Sequence, residues 1–231
     1  DIVVEIGPGR GMLTKRICGC AKKCIALEID QRLIHDLEDK FTDADNIKVI
    51  HQDVLKFDFS SVARKNKVKV VGNIPYHITS PIFFKILENR QYVKELIMLV
   101  QREVAERFVS VPHSKEYGIL AVLAQTYADV DLLMRVAPTV FKPQPKVESA
   151  LVRWTFKRDY ENNLMDADLH RLIVRQAFGQ RRKMMRRSLR NLLTENIRID
   201  LTRRPEDLSI QDWIDLANTL TQLHKQESRN D

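Results

Sequence analysis

Cysteine is scarce in this chain: Cys18, Cys20 and Cys24 are the three present. An odd number at such short spacing does not make the paired framework that staples small secreted domains. Nor does it make a zinc site, which needs a fourth ligand; the nearest donor, His35, falls on a predicted helix. We therefore expect reduced thiols, no metal and a cytoplasmic compartment. Long apolar runs are also missing. No stretch approaches the roughly 20 residues that a membrane span requires, and the chain opens on an apolar, strand-like segment rather than a signal peptide. Internal repeats and low-complexity tracts are absent, which sets aside a repeat array. One absence is local. From Leu169 to Thr194 there is no acidic residue, although Arg171, Arg175, Arg181, Arg182, Lys183, Arg186, Arg187 and Arg190 all fall there.

What is present fits a folded, polyanion-seeking protein. The 231 residues, 44% of them hydrophobic, suffice for one good core and a small second unit. Lys and Arg outnumber Asp and Glu by 38 to 31, a net charge of +7. A basic surface favours nucleic acid first and anionic membrane second.

Apolar runs alternate with helical patterns through the first two thirds of the chain. Strands are predicted at Asp1 to Ile6, Cys24 to Ile29, Ile47 to His51, Val68 to Val71 and Leu96 to Val100. Helices are predicted at Met12 to Cys20, Gln31 to Phe41 and Ser80 to Leu87. Short strands separated by helices build βαβ units and a parallel sheet. A helix at Ile119 to Tyr127 precedes two closing strands, Val130 to Val136 and Ala150 to Phe156, around a Pro-rich loop. Composition shifts after about Lys157. Leu169, Leu172, Ile173, Ala177 and Phe178 keep helical spacing, as do Leu189, Leu192 and Leu193. Leu208, Ile210, Trp213, Leu216, Ala217 and Leu220 mark a last helix, with Asp212 and Asp215 early in it, where the helix dipole favours them. The expectation is an α/β domain over 1–157 and a small all-α domain over 158–231.

Three constellations carry chemistry. Glu5-Ile6-Gly7-Pro8-Gly9-Arg10-Gly11 joins the first strand to the first helix. Glycines there let the backbone turn tightly and let a ligand approach its amides. Glu28, followed by Ile29, ends the second strand about twenty residues on, where a carboxylate can accept from ribose hydroxyls. This points to a nucleoside-containing cofactor; a dinucleotide and S-adenosylmethionine fit it equally. Asp53, in His51-Gln52-Asp53-Val54, ends the third strand, where it either accepts from an adenine amine or caps a turn. Asn73-Ile74-Pro75-Tyr76 follows the fourth strand. An Asn side-chain oxygen and a backbone carbonyl can together accept both hydrogens of an exocyclic amine, which turns its lone pair toward an incoming methyl group. Pro75 fixes the backbone and carries no N–H, and Tyr76 offers a flat face to a base taken out of its stack. The basic run beyond suits phosphates, giving affinity and register rather than sequence readout.

E-I-G-P-G-R-G, the Glu28 strand, Q-D-V and N-I-P-Y together resemble the KsgA (RsmA) family of small-subunit rRNA adenine dimethyltransferases. Gln101-Arg102-Glu103-Val104-Ala105-Glu106-Arg107 follows the fifth strand as in that family. Phe141-Lys142-Pro143-Gln144-Pro145-Lys146-Val147-Glu148-Ser149 matches its F-x-P-x-P-x-V-x-S loop, and Phe178-Gly179-Gln180-Arg181-Arg182-Lys183 resembles the start of its basic segment. The resemblance covers nearly the whole chain. It implies a class I, Rossmann-like, seven-stranded methyltransferase sheet with a small all-α C-terminal domain. It implies S-adenosylmethionine as cofactor, held by Glu5, Gly7, Gly9, Glu28, Ile29, Asp53, Val54 and Asn73, with Glu28 on the ribose and Asp53 on the adenine. Asn73 and the Ile74 carbonyl would hold the target amine, with Pro75 shaping the turn and Tyr76 and Phe141 sandwiching the target ring. Arg181, Arg182, Lys183, Arg186 and Arg187 would bind RNA. The substrate would be small-subunit RNA in a pre-30S-type particle, with two adjacent adenosines near its 3′ end dimethylated during ribosome biogenesis. A monomer without a membrane partner is expected.

Two features depart from the family pattern. Relatives carry a basic segment with a G-Q-x-F-type motif ahead of the first strand, so an N-terminally truncated chain is expected. Met184-Met185-Arg186-Arg187 stands where relatives more often have Thr-Leu-Arg-Asn. The nearest alternative is an Erm-type large-subunit rRNA adenine methyltransferase, which shares N-I-P-Y and the Pro-rich loop. Gly7-Pro8-Gly9, Ser80-Pro81 and Tyr117-Gly118 favour the small-subunit enzymes. A non-catalytic ribosome-assembly RNA-binding factor on the same fold is a second alternative. A nicotinamide dehydrogenase is remote, because nothing suggests a hydride acceptor site.

Overall fold

Runs rich in Val, Ile and Leu form the strands of a seven-stranded sheet. The computed structural model describes residues 1–63, 66–157, 164–193 and 200–230. Along the chain come β1 (Ile2–Ile6), α1 (Met12–Cys18), β2 (Lys23–Glu28), α2 (Gln31–Lys40), β3 (Ile47–His51), β4 (Val68–Asn73), α3 (Thr79–Glu88) and β5 (Val93–Gln101). They are followed by α4 (Arg102–Phe108), α5 (Ile119–Tyr127), β6 (Ala128–Val136) and β7 (Ser149–Phe156). The strand order is β3-β2-β1-β4-β5-β7-β6, which is the expected class I methyltransferase sheet. β1 to β5 run parallel and β7 runs antiparallel to β5. β2 and β3 lie to one side of β1, and β4 lies to the other. That switch in direction opens a crevice at the carboxyl ends of the strands, where open α/β sheets bind ligands.

The sequence reading ended α1 at Cys20; the helix stops at Cys18 because Gly19 follows, and the Cys20 and Ala21 N–H groups both turn back to the Ile17 carbonyl at 3.0 and 2.8 Å. It made β4 and β5 too short. Asn73 pairs with Leu99, and Gln101 pairs with Ser149. Ladder pairing thus carries these polar residues into the sheet, where hydrophobicity alone ends the strands early.

Residues Asp1–Ala105 with Asp131–Phe156 form one compact unit, and Glu106–Val130 with Lys157–Asp231 form another. In the first unit, α3 buries Thr79, Ile82, Phe83, Ile86 and Leu87, the i, i+3, i+4, i+7, i+8 stripe of a core-facing helix. Phe83 reaches Trp154 of β7, with ring centroids 5.7 Å apart. β7 alternates with period two, burying Ala150, Val152, Trp154 and Phe156. β6 is the sheet's edge. Its Asp131 pairs with Arg153 at 2.8 Å, and charges along such an edge discourage pairing with a further strand.

The second unit carries α6 (Ala167–Gly179), α7 (Met185–Ser188) and α8 (Ile210–Asn230) beside α5. The composition shift after Lys157 leads into 158–163, outside the described residues. Asp166 caps α6 by accepting from the Asp168 and Leu169 N–H groups at 3.0 and 2.9 Å. Phe178 packs against Tyr117 and stacks on Trp213, at 6.1 and 5.6 Å between centroids. The Tyr117 hydroxyl donates to the Leu208 carbonyl at 2.8 Å. No helix among the described residues is long and apolar enough to cross a membrane.

His170 of α6 is fully buried beside Tyr127. Burial, with the neighbouring Arg171 charge, pushes its imidazole down from 6.5 to about 4. Unfolding therefore takes up a proton between those values. Stability from this group is complete above the unfolded pKa and is expected to fall by up to about 3 kcal/mol as the pH drops through the folded one. Urea denaturation at several pH values checks this. His170→Gln should flatten the acid limb, and an unchanged limb would contradict the assignment.

Candidate active site

Strand register brings the sequence-predicted loops to one edge of the sheet. Ile6 lies opposite both Leu27 and Gly72, Glu28 opposite His51, and Asn73 opposite Leu99. Gly7 and Gly9 adopt φ of +64° and +55°, the left-handed region that penalises residues bearing a Cβ. The Gly7 N–H donates to the Leu27 carbonyl at 3.0 Å. A Cβ added at Gly7 would lie 3.5 Å from Ile74 Cγ2, whereas one at Gly9 would meet nothing within 4 Å. The backbone at Gly9 thus faces open space.

The Glu28 carboxylate closes this corner. Its Oε2 accepts from the Gly9 N–H at 3.2 Å, and its Oε1 accepts from the N–H groups of Ile29 and Asp30 at 2.9 and 3.0 Å. A carboxylate offers about four acceptor sites, so capacity remains for a ligand hydroxyl. Next to it Ile29 is 67% exposed, an unusual place for its apolar side chain. Asp53 caps a short 3₁₀ turn, Val54–Lys56, accepting from the Leu55 N–H at 2.9 Å, while Val54 is buried. The capping role is therefore filled by one carboxylate oxygen. Glu5 differs from the others. It is 2% exposed, and its Oε2 has no hydrogen-bond partner. Burial raises its pKa, and the neighbouring Thr14 hydroxyl opposes this.

At the end of β4, Asn73 is exposed and its side chain makes no hydrogen bond among the described residues. The Ile74 side chain is buried, and Pro75 holds φ at −55°. Tyr76 is half-buried, with its hydroxyl 2.6 Å from Ser149 Oγ. Ser149 is itself fully buried at the start of β7. Nothing in the spacing of the sequence marks Ser149; its only signal is the last letter of the Pro-rich motif. Phe141 is half-buried and donates its N–H to the Pro138 carbonyl at 3.2 Å. The rings of Tyr76 and Phe141 make no contact with each other. The end of the Phe141 loop is braced by Arg102, whose N–H reaches the Glu148 carbonyl at 2.9 Å and whose guanidinium meets the Glu148 carboxylate at 2.6 Å.

The family model described as ribosomal RNA adenine dimethylase matches residues 1–222. The chain belongs to this family. It is 40% identical over 239 residues to the ribosomal RNA small subunit methyltransferase A of Bacillus licheniformis, covering 96% of this chain and 82% of that relative. It is also 40% identical over 229 residues to the protein of that name from Tolumonas auensis, covering 96% and 84%. Among solved structures, a dimethyladenosine transferase from Plasmodium falciparum shares the fold with a TM-score of 0.81 at 24% identity, covering 96% of this chain and 90% of that one. The 23S rRNA methyltransferase ErmE shares it with a TM-score of 0.69 at 24% identity, covering 95% and 91%.

In this rRNA adenine dimethylase the acid-free run is sorted by α7. Met185, Ser188 and Leu189 are buried, while Arg186, Arg187 and Arg190 face outward. The N–H groups of Met185 and Arg186 donate to the Arg203 and Leu201 carbonyls at 2.9 and 3.0 Å, pinning the short helix. Arg182 and Lys183 are exposed as well. Lys183, Arg186, Arg187 and Arg190 line a polar cleft of about 520 Å³ with Gln176, Gln180 and Asn191. None of these cations has an ion-pair partner among the described residues. Arg181, expected from the sequence to act with them, is engaged within the second unit. Its Nε meets Glu206 at 2.5 Å, and its terminal nitrogens donate to the Lys115 and Ser114 carbonyls at 2.8 and 3.2 Å. With all three nitrogens engaged internally, it braces the second unit.

Glu28→Ala should free the Gly9, Ile29 and Asp30 amides. Their hydrogen exchange is expected to accelerate about tenfold or more, with the amides of β5 unaffected. Unchanged protection at all three would refute the bracing role of the carboxylate.

Proposed function

We propose that this chain transfers methyl groups from S-adenosylmethionine to the exocyclic amines of two adjacent adenosines near the 3′ end of small-subunit, 16S-type rRNA. The observation that carries this reading is the Asn73 side chain, exposed and unengaged at the switch point of the sheet beside Tyr76. The named small-subunit relatives at 40% identity favour this substrate over the large-subunit alternative, whose likeness is one of fold.

The residues present suit the cofactor. The open backbone at Gly9 and the turn at Gly7 leave room for its body. The spare acceptor capacity of Glu28 suits ribose hydroxyls, Ile29 and Val54 supply apolar surface for the adenine, and the second oxygen of Asp53 suits its amine. Glu5 lies deeper, with one carboxylate oxygen unpartnered among the described residues and available toward the cofactor. Bound S-adenosylmethionine supplies an electrophilic methyl group on a sulfonium.

Everything else in the reaction is positioning. Asn73 Oδ1 and the Ile74 carbonyl accept the two amine hydrogens, which directs the lone pair outward. Pro75 fixes the turn that presents them. Tyr76 supports one face of the extruded base and Phe141 the other. The amine needs no strong base while it attacks, and its proton leaves to solvent afterwards. The α/β domain of residues 1–157 performs this chemistry. The helical domain of 158–231 holds phosphates through Arg182, Lys183, Arg186 and Arg187, and the chain acts as a cytoplasmic monomer on a pre-30S-type particle.

Incubation with methyl-labelled cofactor and immature small or large subunits tests the substrate. Label is expected in small-subunit RNA alone, and label confined to the large subunit would reverse the reading. Asn73→Ala should lower turnover by about 100-fold with cofactor affinity nearly unchanged; near-normal turnover would sink the proposed role. Charge reversal at Lys183, Arg186 and Arg187 should weaken RNA binding and make its salt dependence shallower by roughly one unit of slope per lost phosphate contact. An unaltered slope would return these cations to a merely solvated face.

A further inference from the structure

We infer that Ser149 is a positioning residue for the methyl-accepting base, acting through Tyr76. This rests on the reading of Tyr76 as the ring on which that base stacks.

Stacking needs only an aromatic face, and a phenylalanine would supply it. The phenol of Tyr76 therefore calls for another explanation, and the structure provides one in the 2.6 Å contact with Ser149 Oγ. That length is at the short end for paired hydroxyls. Ser149 is fully buried, so the bond forms where water competes little for it. Its backbone is fixed twice. It pairs with Gln101, the last residue of β5. The residue before it, Glu148, is held by Arg102 through both the backbone and an ion pair.

Tyr76 itself is less constrained. It opens a 3₁₀ turn, Tyr76–Ile78, that has no side-chain cap, and the backbone of Pro75 does not set the torsions of the neighbouring ring. The hydrogen bond to Ser149 sets the ring's reach from its far end. It also refers the ring to the strand start into which the Phe141 loop runs.

A double-substitution cycle tests this with pre-30S particles and labelled cofactor. Ser149→Ala, Tyr76→Phe and the double variant are each expected to lose about five- to tenfold in kcat/KM, by the same factor in all three, with cofactor affinity unchanged. Tyr76→Phe at full rate overturns the inference, as do losses that multiply in the double variant. Should Ser149→Ala fail to fold, Tyr76→Phe alone decides on the same criterion. A second readout needs no RNA. With 13C-labelled tyrosine, the Tyr76 ring signal, assigned by its disappearance in Tyr76→Phe, should shift or broaden in Ser149→Ala. An unmoved signal overturns the inference even if methyl transfer is normal. Absent methyl transfer by the unsubstituted chain overturns the proposed function instead.

Discussion

One carboxylate holds the working edge of the sheet together. Glu28 accepts three backbone N–H groups, one from the loop after β1 and two from the turn after β2. Neither segment has a ladder partner at that point, because both strands have ended. Without an acceptor these amides would turn to water, and the glycine loop would lose its shape. A buried acceptor is worth more than its net hydrogen-bond energy suggests, since its removal strands several donors at once. The same group organises the loop and keeps lone-pair capacity toward the open space at Gly9, so folding and the proposed ligand binding draw on one side chain.

The side of the site proposed to take the target base is built on a different logic. The Asn73 side chain has no hydrogen-bond partner among the described residues, while its backbone and neighbours are held: Asn73 pairs with Leu99, Ile74 is packed, Pro75 is restrained by its ring, and Tyr76 is tethered at its hydroxyl. An amide that is free while its backbone is rigid can accept from a ligand with little reorganisation. This is how a site gains rate from orientation rather than from acid–base strength. No shifted acid or base is needed at the reacting atoms, and the strongly shifted His170 belongs to the core of the other unit.

Much of this was legible in the residues. The glycine turn, the acid about twenty residues beyond it and N-I-P-Y each encode a local geometry, and local geometry is what sequence spacing records. Less local features were not legible. α4 went unread because its seven residues carry too little periodicity. The tie between Tyr76 and Ser149 spans 73 positions, and a serine in a Pro-rich loop carries no periodic signal of a distant partner. The internal contacts of Arg181 are hidden for a related reason. In sequence it is one more cation in a run, and only folding brings Glu206 and the Ser114 and Lys115 carbonyls to it.

The short helix α7 shows what such sorting means over evolutionary time. In the helix and the two residues after it, the buried Met185, Ser188 and Leu189 are different residues from the outward Arg186, Arg187 and Arg190. Exposed charges away from packed features can change at little cost to stability. On the proposal that these cations meet RNA, the pattern of positive charge can therefore change while the fold stays as it is. Arg181, a neighbour in sequence but part of the internal framework, has no such freedom. Arg181 and Arg182, adjacent in sequence, thus differ in what a substitution would disturb: an ion pair and two carbonyl contacts at one, an exposed side chain at the other.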